Sequence, residues 1–307
     1  MSIPKVADGI DADWAFARYE AVRDRLPDMP LASTAPREVE TLADTFDQFD
    51  AYLLDGFGVL NVGNTAIPDA VARVAQMRAA GKHVLVLTNS ATHPRAMIRE
   101  KYRALGFDFT DEEIVSSRDV CAAALAHQPA NWHWGIATDA GAHTQGLGIA
   151  GEPLREDPHI YESADAFLLL SGDDWTPARQ DRLTAALTRR ARPVFVANPD
   201  IVAPRENGLT LEPGHWAHHL ADRTGAEPAF YGKPFANAFE MALARLPALP
   251  ASRVAMVGDT LHTDILGGAT CGLGSVLIAE HGLFRGRPLA PFIGRSGIAP
   301  TVIARTT

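Results

Sequence analysis

Cysteine is nearly missing from this chain: its 307 residues include two, Cys121 and Cys271. That excludes a disulfide-stapled scaffold and a thiolate zinc site, and the pair is expected as two unbridged buried thiols. Long apolar runs are missing too. The longest, such as residues 84–87 and 166–170, fall far short of the ~20 residues that a bilayer-spanning helix needs. Residues 1–20 lack the basic start and apolar stretch of a secretory signal. Positive charge is in deficit: 28 Lys and Arg against 37 Asp and Glu leave a net charge of −9. A chain of that balance is no general binder of nucleic acid or anionic membrane, although one small anion can still be held in a local pocket. The expectation is a soluble cytoplasmic protein with neither nucleic acid nor membrane as a partner. No internal repeat or low-complexity tract is present. What remains is ordinary core material, 47% hydrophobic and 21% charged residues, over a length that suits two domains.

Residues 1–48 hold ten acidic and five basic side chains, over half of the net charge. Apolar spacing at Trp14, Ala17 and Val22 predicts a short amphipathic helix. Ser33-Thr34-Ala35-Pro36, with Glu38 and Glu40 beyond, reads as a second helix start. The segment is read as a helical extension packed on the main domain. From residue 51 strands and helices alternate. Strands are predicted at 51–55, 83–87, 254–257 and 275–279, with helices at 68–80, 94–105 and 235–246. This order implies a parallel sheet with helices on both faces, whose ligands gather at the carboxyl ends of strands. Residues 134–138, 166–171 and 194–197 predict a second, smaller α/β unit. It carries a helix at 177–190, capped by Thr176 and begun by Pro177. Stretches such as Gly151-Glu152-Pro153 are read as separators, and the tail 285–307 as irregular.

Four strand ends carry residues with chemistry. Asp55 opens Asp-Gly-Phe-Gly-Val-Leu; Thr88 and Asn89 follow an apolar strand; Lys233 stands in Gly232-Lys233-Pro234 before a helix; Asp259 and Asp264 stand in one short loop. The chain has four lysines, Lys5, Lys82, Lys101 and Lys233, so one placed at such a point is not a random solubility charge.

In this order the pieces resemble the haloacid dehalogenase-like (HAD) superfamily, and within it the class IIA branch of NagD-like and 4-nitrophenylphosphatase-like proteins. The matches are Gly58-Val59-Leu60, Leu87-Thr88-Asn89-Ser90, Ala197-Asn198-Pro199-Asp200, Gly232-Lys233-Pro234 and Val257-Gly258-Asp259 with Thr263-Asp264-Ile265. They span residues 50–283. The resemblance implies a Rossmann-like α/β core at 49–126 and 227–307, with an inserted α/β cap of the C2 type at 127–226. It also implies a Mg²⁺-dependent phosphatase acting on a small phosphorylated metabolite. Asp55 would be the nucleophile and a metal ligand, forming an aspartyl-phosphate. The backbone oxygen of Phe57 and Asp259 would bind the metal, with Asp264 in support. Thr88, Asn89 and Lys233 would hold the phosphoryl group, Lys233 also balancing the charge of Asp55. Asp200 and His215 are the nearest matches to substrate-selecting cap positions. Because relatives often dimerise through the cap, a homodimer fits the resemblance.

One departure matters. HAD phosphatases usually carry Asp-x-Asp, the second aspartate serving as general acid and base, a role worth roughly 10²–10⁴-fold. Here Phe57 holds that place. A class IIA subgroup has an aromatic there, often tryptophan, and often a histidine a little further on, where this chain has Asn61. Two readings stay open. A phosphatase would act on esters with good leaving groups, or draw its proton from His262 or His215. Alternatively the chain binds a phosphometabolite with little turnover. Phosphonate cleavage would need a Schiff-base lysine, and Lys82 looks like a helix-end residue; dehalogenation has no use for Asp259 and Asp264. The run His215, Trp216, His218 and His219 is read as a packed helix at the cap–core hinge. Asp173-Asp174-Trp175 is read as the loop into the helix after Thr176, within reach of a substrate.

Overall fold

The strand Ala51–Leu54 is buried at every residue, which parallel sheets covered on both faces demand of their central strands. Its side chains alternate. Tyr52 and Leu54 join Val84, Val86, Ala255 and Val257 beneath the helices Ala70–Ala79 and Arg95–Ala104. Ala51 and Leu53 join Leu85, Leu87, Val254 and Met256 beneath Ala236–Leu243 and Ser117–Leu125. Each such aliphatic side chain contributes about 1.5–3 kcal/mol on burial. The computed structural model describes residues 9–28, 35–141, 144–205 and 207–307. Its main sheet runs in the order Arg37–Thr41, Val302–Thr306, Gly274–Ile278, Val254–Gly258, Ala51–Leu54, His83–Thr88, Ile114–Ser116, and its strand pairs are parallel. Leu54 lies opposite both Val257 and Val86. That register brings Asp55, Thr88 and Asp259 out at one edge of the sheet.

A second parallel sheet is formed by Ala229–Phe230, Val194–Val196, Ala166–Leu169, His133–Ala137 and Ala150–Pro153, in that order. One face carries Phe167, Leu169, Val194 and Val196 under the helices Pro177–Arg189 and Pro213–Thr224. The other face, with Trp134, Ile136, Leu168 and Phe195, packs on Ala91, Cys121 and Leu125 of the main domain. The cap thus meets the core through the face of its sheet. An antiparallel hairpin, Val202–Arg205 with Gly208–Leu211, hangs from this unit. Cys121 and Cys271 are both free thiols, the first buried and the second partly so.

Several boundaries move. Ser33 and Thr34 fall outside the described residues, but Arg37–Thr41 is no helix: it is an edge strand pairing with Val302–Thr306. Its alternation of exposed Glu38 and Glu40 around half-buried Val39 suits an edge, where one face meets water. Among its described residues the extension 1–48 is therefore helical at Ala12–Ala21 and in the short turns Arg23–Arg25 and Leu42–Thr45, with a strand before the last. The tail is not irregular: it holds the helix Ala290–Ser296 and the strand Val302–Thr306. Ala150–Pro153, expected as a separator, is an edge strand with proline at its end, where a missing N–H does no harm. Ala229–Phe230 pairs within the second sheet, so that unit runs past residue 226.

The helix Ala12–Ala21 begins at Asp11, whose carboxylate accepts from the Trp14 N–H at 2.9 Å. It touches both units. Toward the cap, Arg18 and, in the turn just after the helix, Arg25 pair with Asp222 at 2.7 and 2.6 Å, the Tyr19 hydroxyl accepts from the Ile201 N–H at 3.1 Å, and Trp14 meets His215. Toward the core, Tyr19 stacks on His262, Phe16 meets Phe292, and Arg287 pairs with Asp11 and Asp13. No helix among the described residues is long and apolar enough to cross a membrane.

Candidate active site

Lys233 is 1% exposed, and its ammonium spans two carboxylates: Nζ lies 2.7 Å from Asp55 Oδ1 and 2.6 Å from Asp264 Oδ1. A buried lysine needs such partners, since an isolated charge there is costly. Its backbone is gripped by Asn89, whose Oδ1 accepts from the Lys233 N–H at 2.8 Å and whose Nδ2 donates to the Lys233 carbonyl at 2.9 Å. The same Nδ2 donates to Asp200 Oδ1 at 2.8 Å, and Ser117 donates to Asn89 Oδ1. Gly232 makes this approach possible. Its φ is +131°, and a Cβ there would stand 2.3 Å from Ser117 Oγ and 2.7 Å from Asn89 Oδ1.

Asp259 and Asp264 flank the same point. Asp259 accepts from the Thr260 hydroxyl and the Leu283 N–H, each at 2.8 Å. Asp264 accepts from the Thr260 N–H at 3.1 Å through Oδ2, leaving Oδ1 to Lys233. One oxygen each of Asp55, Asp259 and Asp264 lies within 4.8 Å of the others. Burial pushes Asp55 up to about 6, with Lys233 opposing and Asp264 adding to the rise. Burial and the charges of Asp264 and Asp55 push Asp259 up to about 8. Lys233 is pulled down by burial, but Asp264, Asp55 and Asp200 outweigh this and raise it. Three converging carboxylates against one ammonium make a hard-oxygen donor set short of positive charge, which fits a divalent cation of the magnesium type.

A cleft of ≈ 440 Å³ opens in front of these groups. Asp55, Phe57, Thr88, Asn89 and Asp259 line its floor, and the cap hairpin residues 202–205 and Asn207 line its roof. Asn61 borders it as well. Its Nδ2 donates to the Gly63 carbonyl at 2.7 Å, while its buried Oδ1 has no hydrogen-bond partner among the described residues. Asp200 lines the cleft, and burial, opposed by Lys233 and Asn89, raises its carboxyl well above the usual range. Asp173 lines it too, so the loop before Thr176 does reach the cavity.

Two family descriptions match the chain in sequence. The haloacid dehalogenase-like hydrolase family matches residues 52–145, and the HAD-hydrolase-like family matches residues 230–301. The chain belongs to the HAD hydrolases. It is similar to an acid sugar phosphatase of Staphylococcus aureus, 28% identical over 229 residues that cover 75% of this chain and 86% of that protein. Among solved structures it is similar to a possible sugar phosphatase of the HAD superfamily from Cytophaga hutchinsonii. That match has a TM-score of 0.78 and 25% identity, covering 88% of this chain and 98% of the other. It is also similar to a p-nitrophenyl phosphatase from Archaeoglobus fulgidus, with a TM-score of 0.70 and 25% identity over 84% and 97%. These likenesses agree with the class IIA, NagD-like resemblance of the motifs.

Two histidines of this HAD hydrolase stand apart from the cleft. His215, expected at a substrate-selecting position, packs between Trp14 and Trp216, and burial pulls it down to about 4. His262 lies beneath the N-terminal helix, 2.6 Å from Glu20 Oε1 and stacked on Tyr19. Neither lines the cleft, because the N-terminal helix covers both. His218 stacks on Phe230, as a packed hinge helix would have it. The cleft holds instead His93, Lys101, Tyr102, Arg205 and Glu212, which sequence reasoning missed. Signals existed. Met97, Ile98, Lys101 and Tyr102 recur at helical spacing on one face, and Asn207-Gly208 between two apolar runs is a hairpin turn.

Proposed function

We propose that this HAD hydrolase cleaves the phosphate monoester of a small metabolite through an aspartyl-phosphate on Asp55. The observation that carries this is the buried ammonium of Lys233 bridging Asp55 and Asp264, with Asp259 beside them. The free oxygen of Asp55 attacks phosphorus, the ester P–O bond breaks, and its electron pair leaves with the alcohol oxygen. Water then attacks phosphorus and the bond to Asp55 breaks, returning the carboxylate and releasing phosphate. Lys233 keeps Asp55 ionised and offsets the charge of the phosphoryl group. Asp55, Asp259 and the Phe57 backbone oxygen would hold Mg²⁺, with Asp264 behind them. Bound there, the ion would neutralise the phosphate dianion that otherwise repels the carboxylate. Thr88 offers its hydroxyl to the phosphoryl oxygens. The side-chain amide of Asn89 is spent on Lys233, Asp200 and Ser117, so any phosphate contact there falls to its main-chain N–H.

Asn198, Asp173 and Asp200 add polar side chains to the cleft wall, which suits a hydroxylated leaving group such as the sugars in the names of its relatives. The competing reading, a binder with little turnover, draws on Phe57, which can supply no proton. Hydrolysis of p-nitrophenyl phosphate separates the two, because that aryl group leaves without acid help. Turnover that disappears with EDTA and in Asp55→Asn supports the hydrolase. Wild-type rates no higher than those of Asp55→Asn refute it.

A further inference from the structure

Phe57 is not inert. The ammonium of Lys101 lies 4.6 Å from the centre of its ring, and the guanidinium of Arg205 lies 5.1 Å from the same point. Both distances are in the range at which a cation is drawn to an aromatic face. The two come from different units: Lys101 from the helix Arg95–Ala104 of the core, Arg205 from the hairpin of the cap. Arg205 is fixed from behind, 3.3 Å from Glu212 Oε1 and 3.2 Å from Thr210 Oγ1. Glu212 is itself tied to Thr210 at 2.7 Å and Asn198 at 3.1 Å. Lys101, Arg205 and Phe57 all line the cleft that contains Asp55. The ring occupies the side-chain position from which an aspartate would serve the departing oxygen.

We propose that Lys101 and Arg205, gathered on the ring of Phe57, stabilise the negative charge that builds on the leaving oxygen and so stand in for the missing acid. This rests on the hydrolase reading and adds the residues that set which esters are cleaved. The phosphorus–oxygen bond breaks with its electron pair on the leaving oxygen, and two fixed cations at the cleft wall hold that charge until water protonates the product. Preorganised charge of this kind acts strongly in a site closed to water. It matters most where the leaving group is a poor one. An alkoxide needs the help, and a nitrophenolate does not.

The test compares benzyl phosphate with p-nitrophenyl phosphate in wild type, Lys101→Met, Lys101→Arg and Arg205→Gln. Lys101→Met should lower kcat on benzyl phosphate by roughly 10²–10³-fold, the loss seen when one preorganised donor is removed. The loss on p-nitrophenyl phosphate should be at least tenfold smaller. Lys101→Arg, which keeps the charge, should recover most of the benzyl rate. Arg205→Gln should show the same contrast between esters, so the assignment stays testable even if one variant folds poorly. A side chain that merely packed against Phe57 would slow both esters alike. Equal losses on the two esters, or an arginine at 101 no better than methionine, overturn the assignment and leave the hydrolase reading intact. A wild type inactive on both esters overturns both.

Discussion

Phe16→Ala should destabilise the protein by about 3–5 kcal/mol, the usual cost of emptying a phenylalanine site in a core. The site is a full one. Phe16 is wholly buried, with ring contacts to His262 and Phe292 at 5.3 and 5.1 Å and the Arg295 guanidinium at 4.6 Å. Its cluster joins four parts of the chain: Tyr19 of the N-terminal helix, Leu261, Ile265 and Leu266 around Asp264, Ile201, Val202 and Leu209 of the cap, and Leu283, Phe284 and Phe292 toward the C-terminus. Little can collapse into the space, because each wall belongs to a different element. Tyr19→Phe is the milder companion. It keeps the ring on His262 but removes the acceptor of the Ile201 N–H, and an orphaned buried donor costs about 1–3 kcal/mol. Urea unfolding gives both losses, and initial rates on p-nitrophenyl phosphate give the functional effect. Because Val202 and Leu209 anchor the hairpin that roofs the cleft, Phe16→Ala should raise KM as well as lower the urea midpoint. A loss under ~1 kcal/mol with KM unchanged would show that the helix does not brace the two units.

Two further outcomes concern the carboxylate cluster. Lys233→Met should abolish turnover and destabilise by about 3–5 kcal/mol, as when one partner of a buried ion pair is removed; Mg²⁺ should restore melting temperature but not activity, and failure of Mg²⁺ to do so would argue against a cation at this point. The second concerns pH. Asp55 and Asp259 have folded values of about 6 and about 8, above the usual 3.8. Their contribution to stability is therefore complete below about pH 4 and is lost as pH rises through those two values. A bound cation needs the ionised forms and offsets that loss. The rise in melting temperature on adding Mg²⁺ should thus grow between about pH 5 and pH 9, and a rise that is flat across this range would contradict the assignment.

The strand ends were legible because a parallel sheet leaves a strong mark. Apolar runs such as residues 51–54 and 84–87 have no polar face, and the residue after each run must emerge at the same edge. Asp55, Thr88 and Asp259 are found in this way, and register brings them together; Lys233 arrives from elsewhere, in the loop after Ala229–Phe230 of the second sheet. Arg37–Thr41 leaves no such mark. It is an edge strand with one half-buried apolar residue, and its pairing is decided by a partner more than 260 residues away, Val302–Thr306. The histidines misled for a related reason. His215 and His262 looked available beside chemistry-bearing residues, yet both are covered by Ala12–Ala21. The spacing of Trp14, Ala17 and Val22 predicts that helix, but nothing near either histidine shows that it docks on them.

Position 57 shows how a local loss is answered at a distance. Exchanging a carboxylate for a ring removes a proton donor from the loop after the nucleophile, but it also removes a negative charge that would have paired with nearby cations. The ring instead offers a face, and Lys101 and Arg205 both lie against it. One cation is fixed to the core and the other to the cap hairpin, so the surroundings of the leaving oxygen are complete only while the hairpin is seated. Its seat is the cluster under Phe16, where Val202 and Leu209 meet the N-terminal helix. A charge held on a core residue would not depend on that helix. A charge carried by Arg205 does, which gives the extension a part in the chemistry although none of residues 9–28 lines the cleft.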